Sequence, residues 1–585
     1  MSRSTIKSQK TNEKSVVQSN GLGFLHWTER HFRMLSIIIL ILAGMLRLSL
    51  LIELPQMPFN QLHTAPDLDM NFFDQWGDRI AQGDILTDTI WHPYHFWHDA
   101  IAKSYGLQTD VEGREKWNEW YGGKKYHQEP LYALCVGLAK IITGDGRLLV
   151  YVLQMLLSLV SIWMVIWLGK HYFNALSGLI AGVLFTFYGP ALLFDVTLLR
   201  TSFSTTILLG AVVVSEQLMA GKPRAWLMGI IGGLGYLLMT TTLLLWLPLV
   251  FRWLYHRRMD VGQAWKTALP FIVCISFLVV RNSITDSPIL SSSSVGPITY
   301  VLANFPEYKP EMGFIFFATA GEIMETSKGE MIPAALSVIA KHESIMGWII
   351  LQFKKLGSVF HWYEIPNNVN TYLATAFSQT LKISLIPYSL IAALGLMGIG
   401  LNISNKKIIN LHIAILSQIA VMVAFYVLSR FRVPMVAMLC VFAGYTIQQL
   451  TLLKNVKRTS LIIAGTTLFY LLLCRPVPVI PPTFTRGDLN TNFNAYYRPK
   501  LDLLSQQGDL AGCAALIEDF LKTVPSYLEY PDQLKTLKTP IEKDVAYYYG
   551  LVYTDLGNVY TEIGKTDKAS ACLARGKNLL AAGQQ

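Results

Sequence analysis

The stretch LSIIILILAGMLRLSLLIEL, Leu35 to Leu54, decides the fold. It is long and apolar enough to cross a bilayer, for which a helix needs about 20 residues. Its charged residues, Arg47 and Glu53, come late. Upstream lies a polar, basic and aperiodic tail, MSRSTIKSQKTNEKSVVQSN (Met1 to Asn20). A cleavable signal peptide would carry its apolar segment nearer the start and close it with small residues. The run therefore reads as an uncleaved anchor, with residues 1–33 expected in the cytoplasm. Downstream the character reverses: APDLDMNFFDQWGDRIAQGD, Ala65 to Asp84, is acidic and aromatic with few aliphatic residues.

The rest of the chain repeats the apolar pattern. Of 585 residues, 52% are hydrophobic, and mean hydropathy is +0.36. These values exclude an ordinary soluble chain and indicate an all-α polytopic membrane protein. Further runs of spanning length lie near 148–168, 174–192, 201–219, 384–402, 408–428, 433–450 and 459–474, with a shorter one at 266–281. The run at 225–255 is too long for one untilted helix and has basic residues at both ends, Lys222 and Arg224 before it and RWLYHRR (252–258) after it. It reads as a hairpin of two spans, which brings the expected total to about eleven. The net charge of +10 is then topology. Basic residues at 170, 222–224, 252–258, 406–407 and 454–458 all fall on the side of the N-terminal tail, so no nucleic-acid partner is implied.

An odd number of spans places two large loops, 55–146 and 282–383, and the C-terminus on the opposite, outer face. The membrane domain is expected over 34–475, a Pro-rich linker over 476–490 and a helical domain over 491–585. In that last part Tyr553, Leu556, Gly557, Tyr560, Ala569 and Leu573 follow tetratricopeptide spacing, and Leu504, Gly508, Cys513, Ile517, Phe520 and Pro525 follow it more loosely. Two such hairpins are fewer than the three or so that stand alone, so the domain is expected to lean on extra helices or on the membrane domain. The six cysteines lack metal-ligand spacing and read as packing residues.

The chemistry starts in the first outer loop. Asp67, Asp69, Asp74, Asp78 and Asp84 precede or lie within a helix-like segment whose Phe72, Phe73, Trp76 and Ile80 recur at helical spacing. Such a helix is expected to lie on the membrane with its aromatic face down. Asp69 would then sit at the bilayer boundary, where partial desolvation suits a general base. The same position suits a helix cap, in which Asp67 or Asp69 favours the dipole. In WHPYHFWHD (91–99), His92, His95 and His98 recur every third residue. That spacing fits a divalent metal site, and it fits an aromatic belt contacting headgroups or sugar.

The order of landmarks over residues 34–450 resembles the GT-C glycosyltransferases, the polytopic class that includes protein O-mannosyltransferases and the aminoarabinose transferase of lipid A. The landmarks are Arg47 late in the first span, then Asp69, Phe72, Phe73, Gly83 and Asp84 in the first loop, then HQEPLYALCVGLAKIITGDGR (127–147) and YGPALLFDVTLLRTS (188–202). RNSITDSPILSSSSVGP (281–297), ANFPE (303–307), WYEIPNN (362–368) and FYVLSRFRVP (425–434) follow in order. The chain departs from the class at Met70, where a Glu often follows the Asp, and in SSVGP, where relatives carry paired glycines. The resemblance implies a bundle of about eleven helices that transfers a sugar from a polyprenyl-phosphate donor to a glycan, lipid or protein acceptor. The implied location is the periplasmic face of a bacterial inner membrane. Asp69 is the implied base, with Asp67 as the alternative.

A leaving phosphate needs cations or other donors to hold its charge. Lys124, Lys125 and His127 in GGKKYHQEP are candidates. So are Arg200, Arg281, Lys354, Lys355, Arg430 and Arg432 at expected outer helix ends, where topology alone places few basic residues and snorkelling is the plainer role. Glu364 and Asn367 in WYEIPNN are candidates for sugar hydroxyls, or for ordinary turns. The sequence names no certain cofactor, and a divalent metal stays open. Two other classes compete. A transporter or flippase of lipid-linked sugars should show related halves, and none is visible. A scaffold acting through its C-terminal domain would need one anchor only. An enzyme whose C-terminal domain also recruits a protein partner fits every feature.

Overall fold

A computed structural model describes residues 23–64, 68–256, 261–310, 313–384, 386–451, 456–474, 498–522 and 540–584, with a few positions between 522 and 540. Asp67, the linker 476–490, Pro525, residues 1–22 and the basic positions 257, 258 and 454 lie outside the described residues. The described residues form helices and turns without a strand ladder.

The first outer loop carries α1 (Phe32–Glu53) into α2 (Asp69–Ala81), α3 (Phe96–Ser104), α4 (Asp110–Trp120) and α5 (Pro130–Thr143). The bundle continues with α6 (Arg147–Tyr172), α7 (Ala175–Thr186), α8 (Gly189–Asp195), α9 (Thr201–Met219), α10 (Ala225–Leu238), α11 (Leu243–His256) and α12 (Val261–Ile284). The second loop holds α13 (Gly296–Ala303), α14 (Ala320–Ser327), α15 (Met331–Ala340), α16 (Ile345–Val359) and α17 (Thr371–Phe377). Then come α18 (Gln379–Ile383), α19 (Tyr388–Asn402), α20 (Ile409–Ala424), α21 (Ser429–Thr451) and α22 (Val456–Phe469). The C-terminal part is α23 (Arg498–Gln506), α24 (Leu510–Leu521), α25 (Pro540–Glu562) and α26 (Thr566–Gln584).

Among the described residues seven helices are long and apolar enough to cross a membrane, or nine if two bent pairs each count as one span. Shorter apolar helices at Pro130–Thr143, Ala225–Leu238 and Thr459–Cys474 fall below that length. The difference from about eleven arises where apolar runs break. The run at 174–192 bends by 60° between α7 and α8, where Gly189 and Pro190 begin a new helix. The run at 225–255 does form two helices, parted by extended Met239 and a short turn of Thr240, Thr241 and Thr242.

Polar contacts define both ends of the bundle. At one end α6, α9, α11 and α20 meet where Glu216 accepts from the Tyr172 hydroxyl at 2.8 Å and from Asn410 at 2.6 Å, while Arg252 donates to Asn410 at 2.8 Å. Arg47 pairs with Asp195 at 2.8 Å, Arg47 also donates to Ser158 at 2.7 Å, and Asp195 accepts from Ser202 at 2.6 Å. That buried pair ties α1 to α6, α8 and α9; removing one partner would strand a charge, at a cost of about 3–5 kcal/mol. The other end carries the loops.

α2 departs from its expected place. Its aromatic face does not lie on a bilayer but packs on α5, with Phe73 against Tyr132 at 4.9 Å between ring centroids. Gly77 and Gly137 let the two helices approach, since a Cβ at Gly137 would lie 2.5 Å from Ile80 Cγ2. Lys140 of α5 bridges Asp74 at 2.9 Å and Asp78 at 2.7 Å, and Arg79 pairs with Asp84. Most carboxylates of the acidic stretch are therefore consumed in holding this loop together. In the C-terminal part α23 and α24 form one hairpin and α25 and α26 another, turning at Gly508 and Gly564 with φ of +72° and +74°. α23 rests on the segment Pro58–Thr64, next to α2.

Candidate active site

Asp69 remains free of that internal pairing because it is the first residue of α2, where the helix dipole favours a carboxylate. It faces a cavity of about 890 Å³. Its Oδ2 accepts from Arg430 Nη1 at 2.7 Å and from Asn368 Nδ2 at 2.9 Å, and its Oδ1 accepts from Gln128 Nε2 at 3.1 Å. Asn368 also accepts from the Asp69 backbone N–H at 2.8 Å, so one amide clamps both ends of the residue. To do this Asn368 adopts a left-handed φ of +64°, which asparagine tolerates better than most residues. Burial pushes the Asp69 carboxyl up, but Arg430 and then Asn368 outweigh it and hold the group down at about 2.

The clamp is built by local stapling. Ile365 O accepts from Ser429 N at 2.8 Å, fixing the loop 364–369 to the first turn of α21, which carries Arg430. Beneath it, Arg432 donates to Tyr363 O and Ser358 O at 2.6 Å each and pairs with Glu364 at 3.4 Å. Glu364 also accepts from the Tyr188 hydroxyl at 2.6 Å, and burial raises its carboxyl. Glu364 and Arg432 are thus buried supports of the loop, away from the cavity lining.

Four expected cation positions line the cavity with Asp69: Lys125, His127, Arg200 and Arg430. They are not equivalent. Arg200 is committed to Glu129 at 2.5 Å and to Leu238 O at 2.8 Å. Glu129 in turn accepts from Thr240 N and Oγ1, both at 2.9 Å; burial would raise its carboxyl, yet Arg200 and Thr240 keep it low. His127 is buried among Phe72, His92 and Tyr121, and burial takes its pKa well below the usual histidine range. It is a neutral imidazole at pH 7 and offers no charge to a phosphate. Lys125 has no acidic partner among the described residues.

The remaining candidates lie elsewhere. Arg281 is buried and donates to Leu86 O at 3.0 Å and to Thr87 O and Lys124 O at 2.6 Å each, lacing the loop together. Lys124 itself is exposed and outside the lining, as is Lys354. Lys355 is fully buried, donating to Asn304 Oδ1 at 3.0 Å beside the Tyr308 ring. Arg281 and Lys355 therefore hold protein, because each finds its acceptor in a neighbouring segment. His92 bonds Gly123 O at 2.6 Å and His98 bonds the Tyr121 hydroxyl at 2.8 Å. Among the described residues no group of three His, Cys, Asp or Glu side chains could hold a metal.

Sequence reading missed Gln128, Glu129 and Asn368 as site residues, and it marked the serine loop Ser291–Ser294 only as a landmark. The loop follows α12 and is gathered by Asn282, whose amide donates to Pro288 O, Ile289 O and Ser291 O at 3.1, 3.0 and 2.9 Å. Ser294 N and Val295 N donate to His127 O, setting the loop alongside Lys125–His127. Ser292 Oγ contacts Thr240 Oγ1 at 2.6 Å, and the buried Ser294 hydroxyl has no partner. α13 begins at Gly296, and Gly296–Thr299 of its first turn line the same cavity. A free lysine, hydroxyls and a helix N-terminus together suit an anion. The apolar part of the lining comes from Leu243, Leu244, Leu290, Val421, Phe425 and Phe431.

No protein-family model matches the chain, and no curated protein does. Among solved structures it is similar to ArnT from Cupriavidus metallidurans in the apo state, at 11% identity, covering 87% of this chain and 75% of that one with a TM-score of 0.23. A superposition that loose carries no argument, and the functional reading rests on the geometry of the cavity.

Proposed function

We propose that the protein is a membrane glycosyltransferase that moves a sugar from a polyprenyl-phosphate donor to an acceptor hydroxyl. One observation carries this reading: a single cavity holds an ionised carboxylate, Asp69, and an unneutralised lysine, Lys125, beside a hydroxyl-rich helix N-terminus and an apolar wall. The wall suits the isoprenoid tail and the lysine with the serine loop suits the phosphate. Asp69 is placed for the acceptor. In the reaction the acceptor oxygen bonds to the anomeric carbon as the bond from that carbon to the phosphate oxygen breaks. The phosphate keeps the electron pair, and the acceptor proton passes to the Asp69 carboxylate. We place the site on the periplasmic face of a bacterial inner membrane, with the C-terminal hairpins on the same face and free to recruit a protein partner. α23 resting beside α2 supports that placement.

The test is transfer of labelled sugar from a panel of undecaprenyl-phosphate sugars by the full chain in nanodiscs, with membrane extract as acceptor. Label in the extract names the donor and supports the reading. If no sugar is transferred but labelled donor crosses a sealed bilayer, the protein is a transporter and the reading fails.

A further inference from the structure

The cavity contains a carboxylate that is well placed to take a proton and badly prepared to do so. A group held at about 2 accepts a proton poorly from an alcohol, and Arg430 is its strongest restraint. The way Arg430 is bound differs from that of its neighbours. Arg432, two residues on, spends both terminal nitrogens on Tyr363 O, Ser358 O and Glu364, and is fully buried. Arg200 is held from two directions, by Glu129 and Leu238 O. Arg430 makes a single-point contact through Nη1 and its side chain lines the cavity, while its Nε, like that of Arg432, is buried without a partner. A bidentate guanidinium pair would be stronger and more fixed. Meanwhile the backbone of its turn is stapled by Ile365 O, so the side chain can move without the helix.

We infer that Arg430 is exchanged between two anions during turnover: it caps Asp69 in the empty enzyme, and a lipid phosphate in the cavity draws it away, unmasking the base only when donor is bound. This rests on the donor reading above. Exchanging one anionic partner for another avoids leaving a buried charge unpaired, which is the costly alternative. The phosphate gains charge as it becomes a monoester, so the pull on Arg430 grows as the sugar–phosphate bond breaks. Asn368 and Gln128 keep Asp69 oriented after Arg430 leaves. An uncapped base without donor would be open to other proton sources, and the cap closes that state.

Linkage makes the exchange measurable without turnover, since two anions competing for one cation weaken each other's hold. The experiment measures binding of a short-chain polyprenyl phosphate to the full chain in nanodiscs for wild type, D69N, R430Q and the double variant. Expected are binding at least fivefold tighter for D69N, at least tenfold weaker for R430Q, and no gain from D69N in the R430Q background. A D69N gain that persists undiminished with R430Q is a simple field effect and overturns the exchange, as does unchanged binding by R430Q. If R430Q does not fold, R430K replaces it: a shorter cation with one point of contact is expected to reduce the D69N gain at least twofold, and an unaltered gain counts against the exchange. Absence of polyprenyl phosphate binding by wild type overturns the donor reading itself, an outcome distinct from the others.

Discussion

At the residue scale the site is set by which charges are already spent. Asp74, Asp78 and Asp84 are paired within the loop, whereas Asp69 opens on the cavity. The same accounting separates Lys125 from Arg281, Lys355 and Arg432, whose acceptors are protein carbonyls or amides. The histidines carry a stability consequence. Burial lowers His92 to about 4, and burial takes His98 and His127 well below the usual range. Each folded value lies under the unfolded one near 6.5, so the unfolded chain binds more protons on acidification. Their stabilisation is complete above about pH 6.5 and is lost as pH falls toward 4. The melting temperature should therefore drop between pH 7 and pH 4, and His92→Asn should reduce that drop. A melting temperature flat over the range would show that these rings are not buried neutral. Asp69 and Lys125 were singled out in the first outer loop and Arg200 and Arg430 at expected outer helix ends, and all four line the cavity. Arg281 and Arg432 look identical to them in sequence, since a basic residue carries no mark of whether its acceptor is a substrate or a carbonyl. Asn368 was hidden by its twin Asn367, and the left-handed backbone at 368 with its two bonds to Asp69 tells the two apart.

At the element scale the decisive contact is α2 on α5, because it sets where Asp69 points. Phe72, Phe73, Trp76 and Ile80 gave away the helix and its face, but periodicity cannot say whether an aromatic face meets lipid or protein. The partner was recorded in Gly77 and Gly137, which leave room for backbone contact across the interface. Gly137→Ala would force a Cβ to within 2.5 Å of Ile80 Cγ2 and 3.3 Å of Gly77 O. Overpacking of that kind costs about 1–3 kcal/mol. A lowered melting temperature and a fall in transfer are expected, while Gly400→Ala, with nothing within 4 Å of the added atom, should lower neither. Equal behaviour of the two variants would mean the α2–α5 contact does not control the site. The break between α10 and α11 was legible for a different reason: the apolar run at 225–255 is too long for one untilted helix, although each of the two 14-residue helices falls short of a span.

At the scale of the whole molecule the chain separates its labour between two ends. One end is closed by the Glu216, Asn410 and Arg252 network, and the other gathers the loops, the cavity and the first turns of α9 and α21. Span counting from composition ran ahead of helix lengths because runs broken by Gly189–Pro190 or by three threonines stay apolar while their helices do not stay straight. The arrangement predicts sidedness. In a background without the six cysteines, single cysteines at Lys222 and Lys406 should react with an impermeant maleimide from one face of sealed vesicles, and those at Lys103 and Lys341 from the other. Reaction of all four from the same face would contradict the topology.

The most direct test of the central claim is release of polyprenyl phosphate from donor in the presence of acceptor, wild type beside Asp69→Asn, in nanodiscs at neutral pH. The substitution keeps shape and one hydrogen-bonding oxygen but removes the proton acceptor. The account predicts a loss of roughly 10²–10⁴-fold in rate with folding retained. An Asn variant that releases polyprenyl phosphate at the wild-type rate would return Asp69 to the role of a helix-end carboxylate and place the base elsewhere.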